Sequence, residues 1–105
     1  MNGSFLVVLK RDPVSGDFGM VIRGGRDFNM SLYVLRLVCE SPAQQDGRLQ
    51  AGDEILEING QPTRNLRLLE AVNLIRSRNT VSLIVRRSGM PPPTVADVMK
   101  AASML

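Results

Sequence analysis

Short apolar–polar alternations punctuated by glycine and proline dominate this 105-residue chain, and one stretch keeps a helical period instead. Phe18, Met20 and Ile22 share one face of a strand predicted over Phe18–Arg23, with Gly19, Val21 and Arg23 on the other, and the Gly16-Asp17 turn leads into it. Ahead of it, Phe5-Leu-Val-Val-Leu9 reads as a strand either buried on both faces or lying at a sheet end. Lys10 to Gly16 is a turn-rich connection, and residues 24–31 read as a loop whose Phe28 and Met30 fold back onto the body. Leu32–Val38 is a longer strand. Ser41 then caps a short helix with Pro42 in its first position and Gly47 at its end. Glu54–Ile58 is a strand that runs into the tight-turn dipeptide Asn59-Gly60. Thr80–Arg87, with Val81, Leu83 and Val85 alternating with Ser82, Ile84 and Arg86, is the last strand.

The main helix is predicted over Leu66–Ser77 with Asn65 as its N-cap. Leu68, Ala71, Val72, Leu74 and Ile75 cover an arc of about 160° on its wheel, wide enough for two neighbours. More apolar surface than a core contact needs, beside the Phe18–Ile22 strand, leaves room for a groove open to a peptide. The element order predicts a mostly β fold with two helices: a small antiparallel sandwich or partly open barrel of five to six strands, capped by one short and one longer helix. No internal repeat is evident.

Met90-Pro91-Pro92-Pro93 separates residues 1–88, the folded domain, from residues 89–105, a Pro-rich linker plus an amphipathic C-terminal segment. Val95, Val98, Met99, Ala102 and Leu105 recur at helical spacing after Thr94. Three readings of that segment stay open: packed on the domain, facing another partner, or disordered or foreign to it.

An apolar share of 44% and a charged share of 22% fit one soluble globular domain. Net charge is +3, and eleven of thirteen basic residues are Arg, but the excess is small and scattered. The pairs Lys10-Arg11 and Arg86-Arg87 have no interleaved aromatics for base stacking, so no nucleic acid is expected. Cys39 is the only cysteine, which excludes an intrachain disulfide, fits a reducing compartment and reads as a buried small apolar residue. No signal peptide and no run of about 20 apolar residues appear, so a soluble intracellular chain is the default. The chain has no His, which removes the commonest general base and every His-containing metal site. Gly24-Gly25 lacks the Lys-Ser/Thr of a phosphate loop. Neither an enzyme, a metal nor a cofactor is expected.

Asp17-Phe18-Gly19-Met20, the following Val21-Ile22-Arg23-Gly24-Gly25, Ser41-Pro42-Ala43, the block from Gly47 through Gly52-Asp53 to Asn59-Gly60, and the helix Leu68–Arg76 come in one specific order. Over about residues 4–87 the chain resembles a PDZ domain. The run from Val21 to Met30 with Leu32 to Leu37 is similar to a C-terminal PDZ domain of the inverted membrane-associated guanylate kinases (WW and PDZ domain-containing). The resemblance implies capture of a partner's C-terminus by strand addition, PDZ domains being a standing example of that mode. It also implies that the Asp53-Glu54-Glu57 cluster belongs to a structural strand.

In that reading the amides of Phe18, Gly19 and Met20 converge on the ligand's terminal carboxylate, and Gly19 leaves room for the approach. Arg11 (or Lys10) adds positive charge there. The peptide pairs with Met20, Val21, Ile22 and Arg23. Its last side chain enters a pocket of Phe18, Met20, Ile22, Val72 and Ile75, worth about 1.5–3 kcal/mol for a Val or Leu. Two positions depart from the family pattern. Asp17 stands where Gly is usual, which puts a carboxylate beside the nest. Leu68 stands where many relatives carry a His that bonds a ligand hydroxyl, and as an apolar residue it favours an apolar-x-apolar-COOH ending. A tolerant groove, with Leu68 as half-buried filler under Arg26 or Tyr33, is the rival.

The expected partners are C-termini of membrane or junctional proteins, which would place the chain in the cytoplasm at the inner face of the plasma membrane or at cell junctions. The alternative is a PDZ-like module with weak or lost peptide binding, serving a structural or acidic-lipid role, with Arg86-Arg87 either a solvated strand end or a lipid patch. The ending Ser103-Met104-Leu105 resembles a PDZ ligand, which raises tail-in-groove self-association as a further expectation.

Overall fold

The computed structural model describes residues 3–87. In chain order these form β1 (Ser4–Lys10), β2 (Met20–Gly25), a 3₁₀ turn (Arg26–Phe28), β3 (Met30–Leu37), α1 (Pro42–Asp46), β4 (Glu54–Ile58), β5 (Gln61–Pro62), α2 (Leu68–Arg76) and β6 (Thr80–Arg86). The strands make one antiparallel six-stranded sheet in the order β1-β6-β4-β3-β2, with β5 paired to β4 off that path. This is the mostly β, two-helix architecture that the patterning predicts. The expected linker and C-terminal segment, including Ser103, Met104 and Leu105, lie outside the described residues.

Alternation decides what the sheet buries. Val81, Leu83 and Val85 of β6 are fully buried, as are Val7 of β1, Val34 of β3, and Ile55 and Ile58 of β4. Ala43 of α1 and Ala71 and Ile75 of α2 close the same core. At roughly 1.5–3 kcal/mol for each large apolar side chain removed from water, this cluster is the main stabilising term. β1 has only one covered face: Val7 and Leu9 are buried while Leu6 and Val8 are 50% and 45% exposed. Of its two expected placements, the sheet end is the one found, because among the described residues β1 pairs with β6 alone.

Several element boundaries move, each for a local reason. Extended pairing begins at Met20 rather than Phe18 because Gly19 sits at φ 87°, outside strand geometry. β2 then continues through Gly25, so the loop expected from residue 24 shrinks to the 3₁₀ turn and Asn29, and β3 starts at Met30. α2 starts at Leu68, not Leu66. Leu66 is buried, its N–H donating to the Thr63 carbonyl (2.9 Å) and its carbonyl accepting from Arg26 N–H (2.9 Å). Arg67 therefore occupies the N-cap position in place of Asn65, and its own N–H donates to the Glu70 carboxylate (2.8 Å). α1 forms as expected, with the Ser41 hydroxyl accepting from Gln44 N–H and Gly47 at its end.

The reading of Cys39 is corrected, and that of Arg86-Arg87 is extended. Cys39 is exposed, because it follows β3 in the turn toward α1 rather than lying within the sheet. Arg86 and Arg87 stand in solvent at the strand end as expected, but each also holds a carboxylate. Arg86 pairs with Glu54 at 2.6 Å, and Arg87 reaches both oxygens of Asp53 at 3.0 Å. Asp53 is 1% exposed and also accepts from Gln50 N–H (2.9 Å), so its buried charge is satisfied. Its hydrogen bond raises the Arg87 pKa above the ordinary value.

The two pairs have unequal weight. Arg87→Met strands a buried carboxylate and is expected to cost about 1–3 kcal/mol in denaturant unfolding. Arg86→Met removes a solvent-screened pair and should cost under about 1 kcal/mol. Equal losses in the two unfolding curves would contradict this ranking.

Candidate binding groove

Among the described residues β2 pairs with β3 only, so its outer edge carries no strand partner. That edge opens on a cavity of about 310 Å³ whose opposite wall is α2. Phe18, Gly19, Met20, Val21, Ile22 and Arg23 line one side, Val72, Ile75 and Arg76 the other, with Arg11, Asp17 and Val38 also in its lining. The volume sits at the small end of the ~300–1,000 Å³ typical of ligand clefts. Phe18 and Ile22 are buried by the core beneath, whereas Met20 and Val72 are half-buried and offer apolar surface to an occupant.

At the narrow end the backbone is polarised. The Phe18 carbonyl accepts from Ala43 N–H of α1 (2.9 Å), and the Gly19 carbonyl accepts from Val38 N–H (2.7 Å). No hydrogen bond among the described residues uses the Phe18 or Gly19 N–H. Carbonyls tied inward and amides left over give a concave patch of positive partial charge, suited to an anion. Gly19 is required twice over. Its φ is left-handed, and a Cβ there would lie 1.9 Å from the Ser41 Cβ. Ser41, which caps α1, also donates to the Val38 carbonyl (2.7 Å), so one hydroxyl joins the turn after β3 to α1.

Arg11 sits at the same end with its guanidinium carbon 5.1 Å from the Phe18 ring centroid. Its Nε donates to the Arg78 carbonyl (3.1 Å), Nη1 to Gly16 (2.7 Å) and Nη2 to Arg76. Three of its five N–H donors thus hold the turn before Phe18 to the C-terminal end of α2, where a cation also suits the helix dipole. Arg23 folds back on its own strand, Nη1 donating to the Ile22 carbonyl (2.8 Å).

Of the residues singled out in the sequence, Arg11, Phe18, Gly19, Met20, Val21, Ile22, Arg23, Val72 and Ile75 come together around this cavity. Leu68 does not line it. It is half-buried against the core one helical turn before Val72, beyond the end of the lining. Val38 and Arg76 were not foreseen: Val38 follows the last residue of β3, and Arg76 is the last residue of α2, positions that neither periodicity nor spacing marks. A second, wider depression of about 510 Å³, bounded by Arg26, Met30, Leu32, Pro62 and Arg64 among others, does not touch β2.

The family model described as PDZ domain matches residues 6–86. The membrane-associated guanylate kinase, WW and PDZ domain-containing protein 3 of Gallus gallus is 42% identical over 88 residues, which is 84% of this chain and 8% of that protein. Its counterpart from Rattus norvegicus is 41% identical over 87 residues, 83% of this chain and 6% of that protein. The PDZ domain-containing protein MAGIX of Rattus norvegicus is 47% identical over 77 residues, 71% of this chain and 23% of that protein. The chain therefore spans a small part of the length of these relatives. Among solved structures, Dlg1 PDZ2 of the choanoflagellate Monosiga brevicollis matches with a TM-score of 0.74 at 23% identity, covering 82% of this chain and 100% of that one. At that identity the likeness speaks to the fold: an open antiparallel sheet with two helices.

The Arg11 geometry carries a test of its own. Arg11→Met is expected to lower unfolding stability by about 1 kcal/mol, since a charged donor to several carbonyls is lost at a partly exposed site. Arg11→Lys should recover less than half of it, because one ammonium does not reproduce the planar fork. Full recovery by Lys in chemical denaturation would show that charge, not the fork, matters there.

Proposed function

The chain belongs to the PDZ domain family, and from that premise we propose that it is a non-enzymatic interaction module that captures the extreme C-terminus of partner proteins. The observation that carries this reading is the outer edge of β2, unpaired among the described residues and opening on the cavity under α2. A partner's last residues add to that edge as an antiparallel strand along Met20, Val21, Ile22 and Arg23. The terminal carboxylate rests on the amides of Phe18, Gly19 and Met20, with the Arg11 guanidinium adding positive potential at the same end. The last side chain fills the apolar wall made by Phe18, Met20, Ile22, Val72 and Ile75, contributing about 1.5–3 kcal/mol.

Ligand choice follows from what the open end of the groove, just beyond the cavity lining, lacks. Leu68, one turn before Val72, has no group to satisfy a ligand hydroxyl, and an unpaired hydroxyl buried there costs about 1–3 kcal/mol. The preferred ending is apolar-x-apolar-COOH. Asp17, exposed and in the cavity lining, opposes the carboxylate and moderates affinity, so short peptides bind in the micromolar range, about −8 kcal/mol. The partners are membrane or junctional proteins with cytoplasmic C-termini, which would bring the chain to the inner face of the plasma membrane. An acidic-lipid role through Arg86-Arg87 draws no support from the structure, because both guanidiniums already hold carboxylates.

A peptide array varying the last and third-from-last residues tests the reading. Amidation of the last residue is expected to weaken binding at least tenfold, about 1.4 kcal/mol. Leu68→His should shift preference at the third-from-last position from Val toward Ser or Thr. Unchanged binding of amidated peptides would falsify the carboxylate-capture mechanism; an unshifted Leu68→His profile would remove the specificity argument alone.

A further inference from the structure

We infer that Asp27, outside the groove lining, is a positioning residue for ligand selectivity: by capping α2 from the turn after β2, it sets where Leu68 stands. This rests on the groove reading above. The first N–H groups of a helix have no partner within the helix and need an outside acceptor. Arg67, at the N-cap position of α2, carries no side-chain oxygen to supply one. Instead the Leu68 N–H donates to Oδ1 of Asp27 at 3.0 Å, across 41 residues of sequence.

Two further contacts lock the same junction. Arg26 N–H donates to the Leu66 carbonyl at 2.9 Å. Gly25 ends β2 so close to the helix that a Cβ there would lie 2.8 Å from the Leu68 nitrogen and 3.0 Å from the Asp27 carboxylate oxygen. The end of β2 and the start of α2 are therefore joined through backbone, with Asp27 as the one side chain in the joint.

The location gives this cap its functional weight. A strand paired antiparallel to β2 with its terminus at Gly19 runs its earlier residues toward Gly25. Its third-from-last side chain thus faces the first turn of α2, where Leu68 and Val72 lie one above the other. Leu68 is the residue whose own N–H Asp27 holds. Loss of the cap frays the first helical turn and loosens the Leu68 side chain, while Phe18, Gly19 and the far end of the groove keep their separate hydrogen bonds to α1 and to Val38 after β3. Asp27 acts on which residue is accepted at the third-from-last position more than on carboxylate capture.

The experiment compares wild type, Asp27→Ala and Asp27→Asn. Peptides differing only at the third-from-last position (Val against Thr), and peptides differing only at the last residue, are titrated against each. Asp27→Ala is expected to reduce the Val-over-Thr ratio about three- to fivefold, the scale of a lost helix cap, with last-residue selectivity unchanged. Asp27→Asn keeps an accepting oxygen and should retain most of the ratio. Hydrogen exchange at the Leu68 amide should quicken in the Ala variant and much less in the Asn variant. An unchanged ratio in Asp27→Ala, with wild-type binding intact, overturns the role of Asp27 and leaves the groove reading standing. Failure of wild type to bind any C-terminal peptide overturns the groove reading and the selectivity role together.

Discussion

An edge strand carries a row of backbone donors and acceptors with no neighbour, and in water such a row invites another chain. Among the described residues β2 is that edge, and the rest of the fold disposes of it in one way. α2 lies alongside at side-chain distance rather than hydrogen-bonding distance, leaving a slot instead of a closed seam. Pairing β2 on both sides would abolish the slot; leaving it bare would make it adhesive along its whole length. The sheet order, which puts β2 at one end and β1 at the other, follows from burying alternate residues of β6 and β4 in the middle. The slot is thus a consequence of where the core had to be.

α2 is held over that edge by more than apolar contact. Ala71 and Ile75 sink into the core and set its height. Polar ties set its ends: Asp27 at the first N–H, and Arg11 at the last carbonyl. An acid at the N-terminus and a base at the C-terminus both agree with the helix dipole. Both come from segments that flank β2, so the helix is referenced to the strand it faces. A groove whose walls are tied this way loses less conformational entropy when a ligand enters.

How far the sequence spoke for itself depends on how local each cause was. β6 was legible because Val81, Leu83 and Val85 alternate with polar or half-exposed neighbours over one uninterrupted run. α1 was legible because its cap, Pro and terminating Gly are contiguous. The start of α2 was misplaced because its cap is 41 residues away, and Asn65 offered a plausible local substitute. β5 has two residues and no period to detect. The partner of Arg87 was not legible because Asp53 is joined to it only by the fold. At the site, residues spaced by two on β2 and by three on α2 converged as the patterns required, since both periods point at the same gap. Leu68 kept the helical phase but sits past the end of the cavity. Phase fixes direction, not reach.

That last displacement divides recognition into two parts of unequal firmness. At the closed end, the Phe18 and Gly19 carbonyls are bound by α1 and by the residue after β3, and Gly19 is wedged against Ser41, so the free amides there have little room to move. At the open end, the first turn of α2 depends on hydrogen bonds that are exposed to water, those of Asp27 and Glu70. Solvent competes for such bonds, and local opening costs least where they dominate. Under the proposed capture of a chain terminus, the end that receives the carboxylate is therefore the rigid one. The choice among termini, on the same proposal, falls to the softer end, where the exposed side chains of Asp27 and Glu70 hold the helix start and sequence change can retune it without disturbing the core.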